Sequence, residues 1–208
     1  MTAPVTLSLS VALALARINA PAIAPDTLVT FGQLESGLNP LALHDNATGI
    51  SYAPANKAEA AALADSLILR SRHSVDLGLM QVNFPGRSRD DLTIQEAFEP
   101  DRSMRAGGAI LSAAYGRCAM RDRAPAEALK CAASLYNAGA ITPAGAAYAA
   151  RLWRTAEHVV PSIGKLLAAG PEGEGTAMPA DPPPRDIVAR PGGGRPETDF
   201  APGKEYPR

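Results

Sequence analysis

A mainly α-helical domain over residues 1–168, followed by a disordered Pro/Gly-rich tail over 169–208, is what this chain predicts. Three observations carry that reading. Hydrophobic residues make up 46% of the sequence but aromatics only 5%, with Ala and Leu prominent. That balance suits helices better than a β-sandwich. Apolar residues recur at three- and four-residue spacing between Gly and Pro punctuation marks, the period of helices that bury one face. From Pro171 the character changes: Pro182-Pro183-Pro184 and Gly192-Gly193-Gly194 stand among scattered charges with almost no large apolar residues. Such a segment buries too little surface to offset its chain entropy. At 208 residues the whole fits one domain with a tail.

The elements follow in order. Val5 to Ala16 is apolar, and Ala14-Leu15-Ala16 offers small residues of the kind cleaved after a signal peptide. No Lys or Arg precedes it and Arg17 follows directly, so a first helix with Leu9, Ala12, Leu13 and Ala16 on one face is preferred. Pro25 to Phe31 reads as a second helix start, with Asp26 as cap and Leu28, Phe31 and Leu34 at helical spacing. Gly37 ends it and Asn39-Pro40 prevents continuation. A loop from Leu41 to Ala55 precedes Asn56-x-x-Glu59, a capping-box spacing. Ala60, Leu63, Ala64, Leu67 and Ile68 then form one face. Residues 74–83 break the helical period at Gly78 and read as a bend or short hairpin followed by a tight helix turn. Pro85-Gly86 punctuates, and Thr93 to Phe98 suggests a short helix.

A longer helix begins at Glu99-Pro100-Asp101, with Asp101 as cap and Met104, Ile110, Leu111, Ala114 and Tyr115 facing the core. Gly107-Gly108 inside it costs helix propensity, which close packing against a neighbour would explain. Pro125 suits a first turn of the next helix, which runs through Leu129, Ala132 and Leu135 to Tyr136 and stops at Asn137-Ala138-Gly139. Pro143 opens the last, with Tyr148, Leu152 and Val159 inward; Pro161 ends or kinks it, and Ile163 to Ala168 closes the domain.

Charge and motif content exclude several functions. Twenty basic side chains balance 21 acidic ones, with no long basic run, which argues against a nucleic-acid partner. No stretch approaches the ~20 apolar residues of a membrane span. His44, His73 and His158 show no metal-ligand spacing, and no cofactor or metal is expected. Cys118 and Cys131 form no CxxC pair. They are either a disulfide between two helices, contributing about 3 kcal/mol, or two separate buried thiols.

Glu35 lies one residue from the predicted C-terminus of the second helix. The macrodipole is negative there and disfavours another negative charge. Partly buried, such a carboxyl has a raised pKa and suits general-acid work near neutral pH. By itself it reads more simply as a solvated residue of the last turn.

Three stretches together decide between those readings: Glu35-Ser36-Gly37-x-Asn39-Pro40, Gly78-Leu79-Met80-Gln81-Val82-Asn83 and Tyr136-Asn137-Ala138-Gly139. In this order they resemble the lytic transglycosylases of the lysozyme-like superfamily (the SLT domain), and within it the VirB1-like group that accompanies type IV secretion and conjugation systems. The resemblance covers about residues 8–155 and includes Ala24-Pro25-Asp26-Thr27-Leu28 and Asp76-Leu77. It implies a two-lobed, lysozyme-like helical domain with a minimal β/turn region. It implies a periplasmic or cell-envelope enzyme acting on peptidoglycan glycan strands, with type IV secretion components as partners. Glu35 would be the general acid that cleaves the MurNAc-β-1,4-GlcNAc bond and then the base that helps close a 1,6-anhydro ring.

The resemblance also implies supporting roles. Gln81 would offer an amide to a sugar N-acetyl group or to Glu35, Asn83 would line the cleft, and Tyr136 would be the tyrosine whose hydroxyl reaches the carboxylate. Met80 reads as core filler, Asn137 as a turn-fixing side chain, and Ser36 as a cleft residue or a hydroxyl bonding backbone. Cys118 and Cys131 suit a periplasmic disulfide. Many relatives carry a serine soon after the Asn-Pro pair, whereas Leu41-Ala42-Leu43-His44 follows here. Residues 74–83 also resemble the stretch of c-type lysozymes that bears their catalytic aspartate. Asp76 is thus a second carboxylate candidate, or a cap on the turn at Gly78. Two rivals follow: a muramidase using Glu35 and Asp76, and a non-catalytic peptidoglycan-binding assembly factor.

Overall fold

The computed structural model describes residues 5–84, 92–120 and 124–169. Pro85-Gly86 and the predicted tail from residue 170 onward lie outside them. Among the described residues six α-helices surround a small antiparallel sheet, a mainly α architecture of the lysozyme-like kind.

Helix α1 spans Leu9–Asn19 and buries Ala12, Leu13 and Ala16, as the helical reading of the N-terminal stretch requires. Ser8 caps it by accepting from the Val11 N–H. Helix α2, Pro25–Ser36, is the central element: Thr27, Leu28, Val29, Thr30, Phe31 and Gly32 are all buried. Its N-cap is Ala24 rather than Asp26. Pro25 fills the first helical position, and Asp26, inside the first turn, accepts from the Thr27 N–H at 2.8 Å. Pro at that position removes one orphan donor outright, so a side-chain cap has less to satisfy. At the other end Gly37 adopts a left-handed conformation (φ 63°) and terminates the helix as expected.

The predicted loop 41–55 contains two short strands, β1 (Leu43–Asp45) and β2 (Ile50–Tyr52). They join β3 (Val75–Leu77) and β4 (Val82–Phe84) in the order β2-β1-β3-β4, all antiparallel. Residues 78–81 are therefore the turn of a hairpin, not a helix turn after one. Alternation sorts the sheet into two faces. Leu43, Asp45, Val75, Leu77, Val82 and Phe84 are buried, while His44, Asp76 and Asn83 form a half-buried row in register across the other face.

Asn56 caps α3 (Lys57–Asp65) through the Glu59 N–H, and the Glu59 carboxylate accepts from the Ala55 N–H. A five-residue π-helical turn, Ser66–Arg70, extends it. A 3₁₀ turn at Glu96–Phe98 is the short helix expected after Thr93.

The long helix α4, Pro100–Ala119, has Glu99 rather than Asp101 at its N-cap, again with Pro at the first position. Gly107 and Gly108 have the packing reason their cost demands. A Cβ at Gly107 would fall 2.6 Å from Met80 Cβ, and one at Gly108 would fall 2.5 Å from Ala20 Cβ. Helix α5 is Pro125–Ala138, closed by Gly139 in the left-handed region. A disulfide joins Cys118 of α4 to Cys131 of α5, resolving the two readings of that pair. Helix α6 runs from Pro143 to Ala169 through Pro161, so of the two outcomes expected at that proline, an end or a kink, the end does not occur. Pro161 is exposed, so the carbonyl it leaves unbonded one turn back can turn to water.

Candidate active site

Glu35 and Phe31 are four residues apart and share a face of α2. Phe31 is fully buried and packs against two tyrosine rings, edge-on to Tyr136 at 5.1 Å and tilted to Tyr148 at 6.2 Å. This aromatic cluster delivers α5 and α6 to the end of α2. One turn onward, the Tyr148 hydroxyl donates a short hydrogen bond to Glu35 Oε1. Glu35 keeps an edge at the protein surface but is otherwise surrounded by protein. Burial pushes its carboxyl up from the ordinary value of 4.5 to about 7. The Tyr148 bond and the Arg151 charge pull it back down, and the Asp76 charge adds to the rise. A carboxyl near 7 holds a proton for donation and keeps little of it afterwards, as a group that must act first as acid and then as base requires. Burial, together with the neighbouring Glu35, raises the Tyr148 hydroxyl well above its usual value, so it stays protonated and remains a donor.

The turn between β3 and β4 is fixed beside this carboxylate by bonds from three other elements. Ser36, next to Glu35, donates to the Leu79 carbonyl at 2.8 Å. The Met80 N–H donates to the Ser103 hydroxyl at 3.0 Å, and Tyr136 donates to the Met80 carbonyl at 2.7 Å. Gly78 is required at its place: its φ is +75° and a Cβ would lie 1.9 Å from the Ala97 carbonyl oxygen. Gln81 is also left-handed (φ 46°) without being glycine. Its side-chain amide donates to the carbonyls of Ala42 (3.1 Å) and Gly78 (2.8 Å), which holds the strained backbone in place.

The sequence-predicted residues therefore sort into groups. Glu35, Asp76 and Asn83 are brought to one region. Asn83 donates to Asp76 Oδ1 at 2.6 Å and to Ser74 Oγ at 2.8 Å, which occupies Asp76 with a neighbour across the hairpin. Ser36, Gln81 and Tyr136 bond main-chain carbonyls and build the turn; for Ser36 that is the second of its two readings. The hydroxyl donating to Glu35 belongs to Tyr148, the partner that sequence reasoning assigned to Tyr136. Asn137 is exposed at the end of α5. The side chain fixing that turn is Ser134, which donates to the Ala140 carbonyl and accepts from the Thr142 N–H.

Tyr148 was legible only as an inward-facing helical residue. The signal for more was its hydroxyl, because a buried tyrosine needs a polar partner. Asp45 and His73 form a separate pair. Burial of Asp45 opposes its charge, yet bonds from Thr48, His73 and the Ala47 N–H hold its carboxyl below the ordinary range. That pair secures the β1–β2 turn to the strand β3 approach. A cavity of about 380 Å³ lies between α5 and α6, lined by Lys130, Ile141, Thr142 and Trp153 among others, but by none of the residues around Glu35. Among the described residues no group of three or more His, Cys, Asp or Glu side chains is placed to hold a metal ion. No described helix is long and apolar enough to cross a membrane.

Comparison with known proteins bears on the same region. The family model described as "Transglycosylase SLT domain" matches residues 13–150. Protein virB1 of Agrobacterium fabrum (strain C58) is 36% identical over 149 residues, covering 71% of this chain and 60% of that protein. Protein virB1 of Rhizobium radiobacter is 33% identical over 149 residues, covering 71% and 62%. The type IV secretion system protein virB1 of Brucella abortus biovar 1 is 33% identical over 131 residues, covering 62% and 55%. The chain thus spans about 60% of the length of these relatives. No solved structure matches.

Proposed function

The chain belongs to the transglycosylase SLT domain family, in its VirB1-like group, and from that premise we propose that it is a peptidoglycan lytic transglycosylase that opens the cell wall locally for a type IV secretion or conjugation apparatus. The observation that carries the reading is Glu35: one carboxyl, buried at a helix end, raised to about 7 and held by the Tyr148 hydroxyl.

In this mechanism Glu35 protonates the glycosidic oxygen between MurNAc and GlcNAc, and the C1–O bond breaks. The carbonyl oxygen of the MurNAc N-acetyl group closes onto C1 and takes up the positive charge. Glu35, now a carboxylate, removes the proton from the C6 hydroxyl. The C6 oxygen attacks C1 and displaces the acetamido oxygen, giving the 1,6-anhydro sugar and leaving Glu35 protonated as it began. No water is consumed, so one carboxyl serves both steps. Tyr148 holds Glu35 in place and stabilises its charged form between them. Asn83 and Asp76, on the half-buried face of the sheet, are offered to the sugars. Ser36, Gln81 and Tyr136 hold the turn that sets the distance between sheet and acid.

A second reading makes the protein a muramidase, with Asp76 supporting hydrolysis. What favours it is that the Asp76 charge acts on Glu35. Mass spectrometry of peptidoglycan digested by the purified protein and by Glu35→Gln decides. The transglycosylase yields 1,6-anhydro ends that the variant does not. Reducing ends in their place convert the reading to the muramidase. Transfer surviving in Glu35→Gln without wall cleavage would favour the assembly factor, and loss of both cleavage and transfer excludes it.

A further inference from the structure

Arg151 lies one turn after Tyr148 on α6 and is exposed. Its guanidinium sits 5.7 Å from the centre of the Tyr148 ring, the same ring whose hydroxyl bonds Glu35. Side chains on a helix lean toward the preceding turn, so this placement follows from the three-residue spacing. Among the described residues Arg151 has no carboxylate within ion-pair distance, whereas the lysines at 57 and 130 do. A fork of donors thus stands over the Tyr148 ring at the edge of the acid site, exposed to solvent.

We propose that Arg151 is a specificity-determining residue, which binds a carboxylate of the peptide stem carried by the muramyl sugar and so directs cleavage to strands that still bear their peptides. This rests on the peptidoglycan reading above and narrows its substrate. A glycan strand is uncharged along its sugars, and its anionic groups are the stem carboxylates attached through the lactyl group of MurNAc. The bond to be broken is at C1 of that same sugar, so the stem leaves the strand beside Glu35 when the strand is seated, and its free carboxylates extend outward from there past the edge of the site where Arg151 stands. A planar bidentate cation is the side chain suited to it. The placement has a second effect. Tyr148, Asp76 and Arg151 are the groups whose charge or bond acts on Glu35, and the positive charge of Arg151 opposes its protonation. A carboxylate paired with Arg151 cancels that opposition, so the seated peptide also favours the acid form.

The test uses the full chain and two substrates: soluble glycan strands with intact stems, and the same strands stripped of stems by an amidase and then methylamidated at the lactyl carboxyl that the amidase exposes, so that no carboxylate remains. Release of anhydro-ended fragments gives kcat/KM on each. The wild type is expected to prefer stem-bearing strands about tenfold, the ratio one charge-assisted hydrogen bond commands. Arg151→Gln is expected to bring that ratio close to one, and Arg151→Lys to restore part of it. Because Arg151 is exposed, its variants should melt with the wild type, which circular dichroism checks. Equal wild-type rates on the two substrates overturn the proposal, as does an Arg151→Gln variant that loses the same factor on both. A wild type that cleaves neither substrate removes the peptidoglycan reading itself, and this inference with it.

Discussion

Two carboxyl groups, one on the helical side of the site and one on the sheet, are set in opposite surroundings. Glu35 ends α2 among packed aromatic rings and receives the Tyr148 hydroxyl. Asp76 lies mid-strand on a half-buried face and receives the Asn83 amide. The first environment removes water and raises the acid to about 7. The second keeps a half-buried, hydrogen-bonded side chain within electrostatic reach of the first. Under the proposed function that division gives the proton transfer to Glu35 and leaves Asp76 a supporting part. The difference teaches that proximity does not make them partners of equal rank; the packing around each assigns its part.

Substitutions that erase one side or the other test this division. The largest effect belongs to Glu35→Gln, expected to lower the rate of glycan cleavage on the order of a thousandfold. Timed release of soluble fragments measures it, and a loss under tenfold would end the single-acid account.

The next is a stability effect. Glu35 titrates at about 7 when folded and near 4.5 when unfolded, so the native state holds the extra proton between those values. Its contribution is fully present below 4.5 and is lost as pH rises through 7. Wild-type stability relative to Glu35→Gln should therefore fall across that window by at most about 3 kcal/mol. Urea melts at several pH values check it, and a difference independent of pH would show that burial does not tune the acid.

Asp76→Asn should cost less, about tenfold in kcat/KM. It should also move the alkaline limb of the pH profile downward, because the charge that favours protonated Glu35 is gone. A loss matching that of Glu35→Gln would abolish the division and favour the muramidase. Tyr148→Phe is expected to be the mildest, about twofold to tenfold. It should move the limb upward, since the lost bond favoured the carboxylate. A limb that stays put would show that the hydroxyl acts on position alone.

Much of the helical side was legible beforehand. The α2 apolar spacing, its Gly37 stop and the position of Glu35 beside that stop follow from local rules, because a helix end is decided within a few residues. Gly107-Gly108 announced close packing for the same reason: two poor helix formers in a long helix need a compensating contact. The sheet side was less legible. Strands of three residues, such as β1 and β2, are too short to display a period of two, and they exist because they pair. Tyr148 could be oriented inward, but its partner lies 113 residues earlier in the chain. A helical period gives a side chain's direction and not what it meets. The bonds of Gln81 and Ser36 to main-chain carbonyls were hidden likewise, because a motif shows which residues recur together but not whether each faces substrate or scaffold.

The close approach of α4 to the β3–β4 turn bears on where that turn stands beside Glu35. Gly107 leaves room for Met80, whose side-chain atoms would lie 2.6 to 2.8 Å from any added methyl. Met80 carries the carbonyl that anchors Tyr136, and Gln81 follows it directly. A dense interior passes such a displacement on rather than absorbing it. The position of the β3–β4 turn is thus set from behind, by a missing atom on α4. A substitution at position 107 therefore becomes a means of shifting that turn against Glu35 while every side chain of the candidate site keeps its identity.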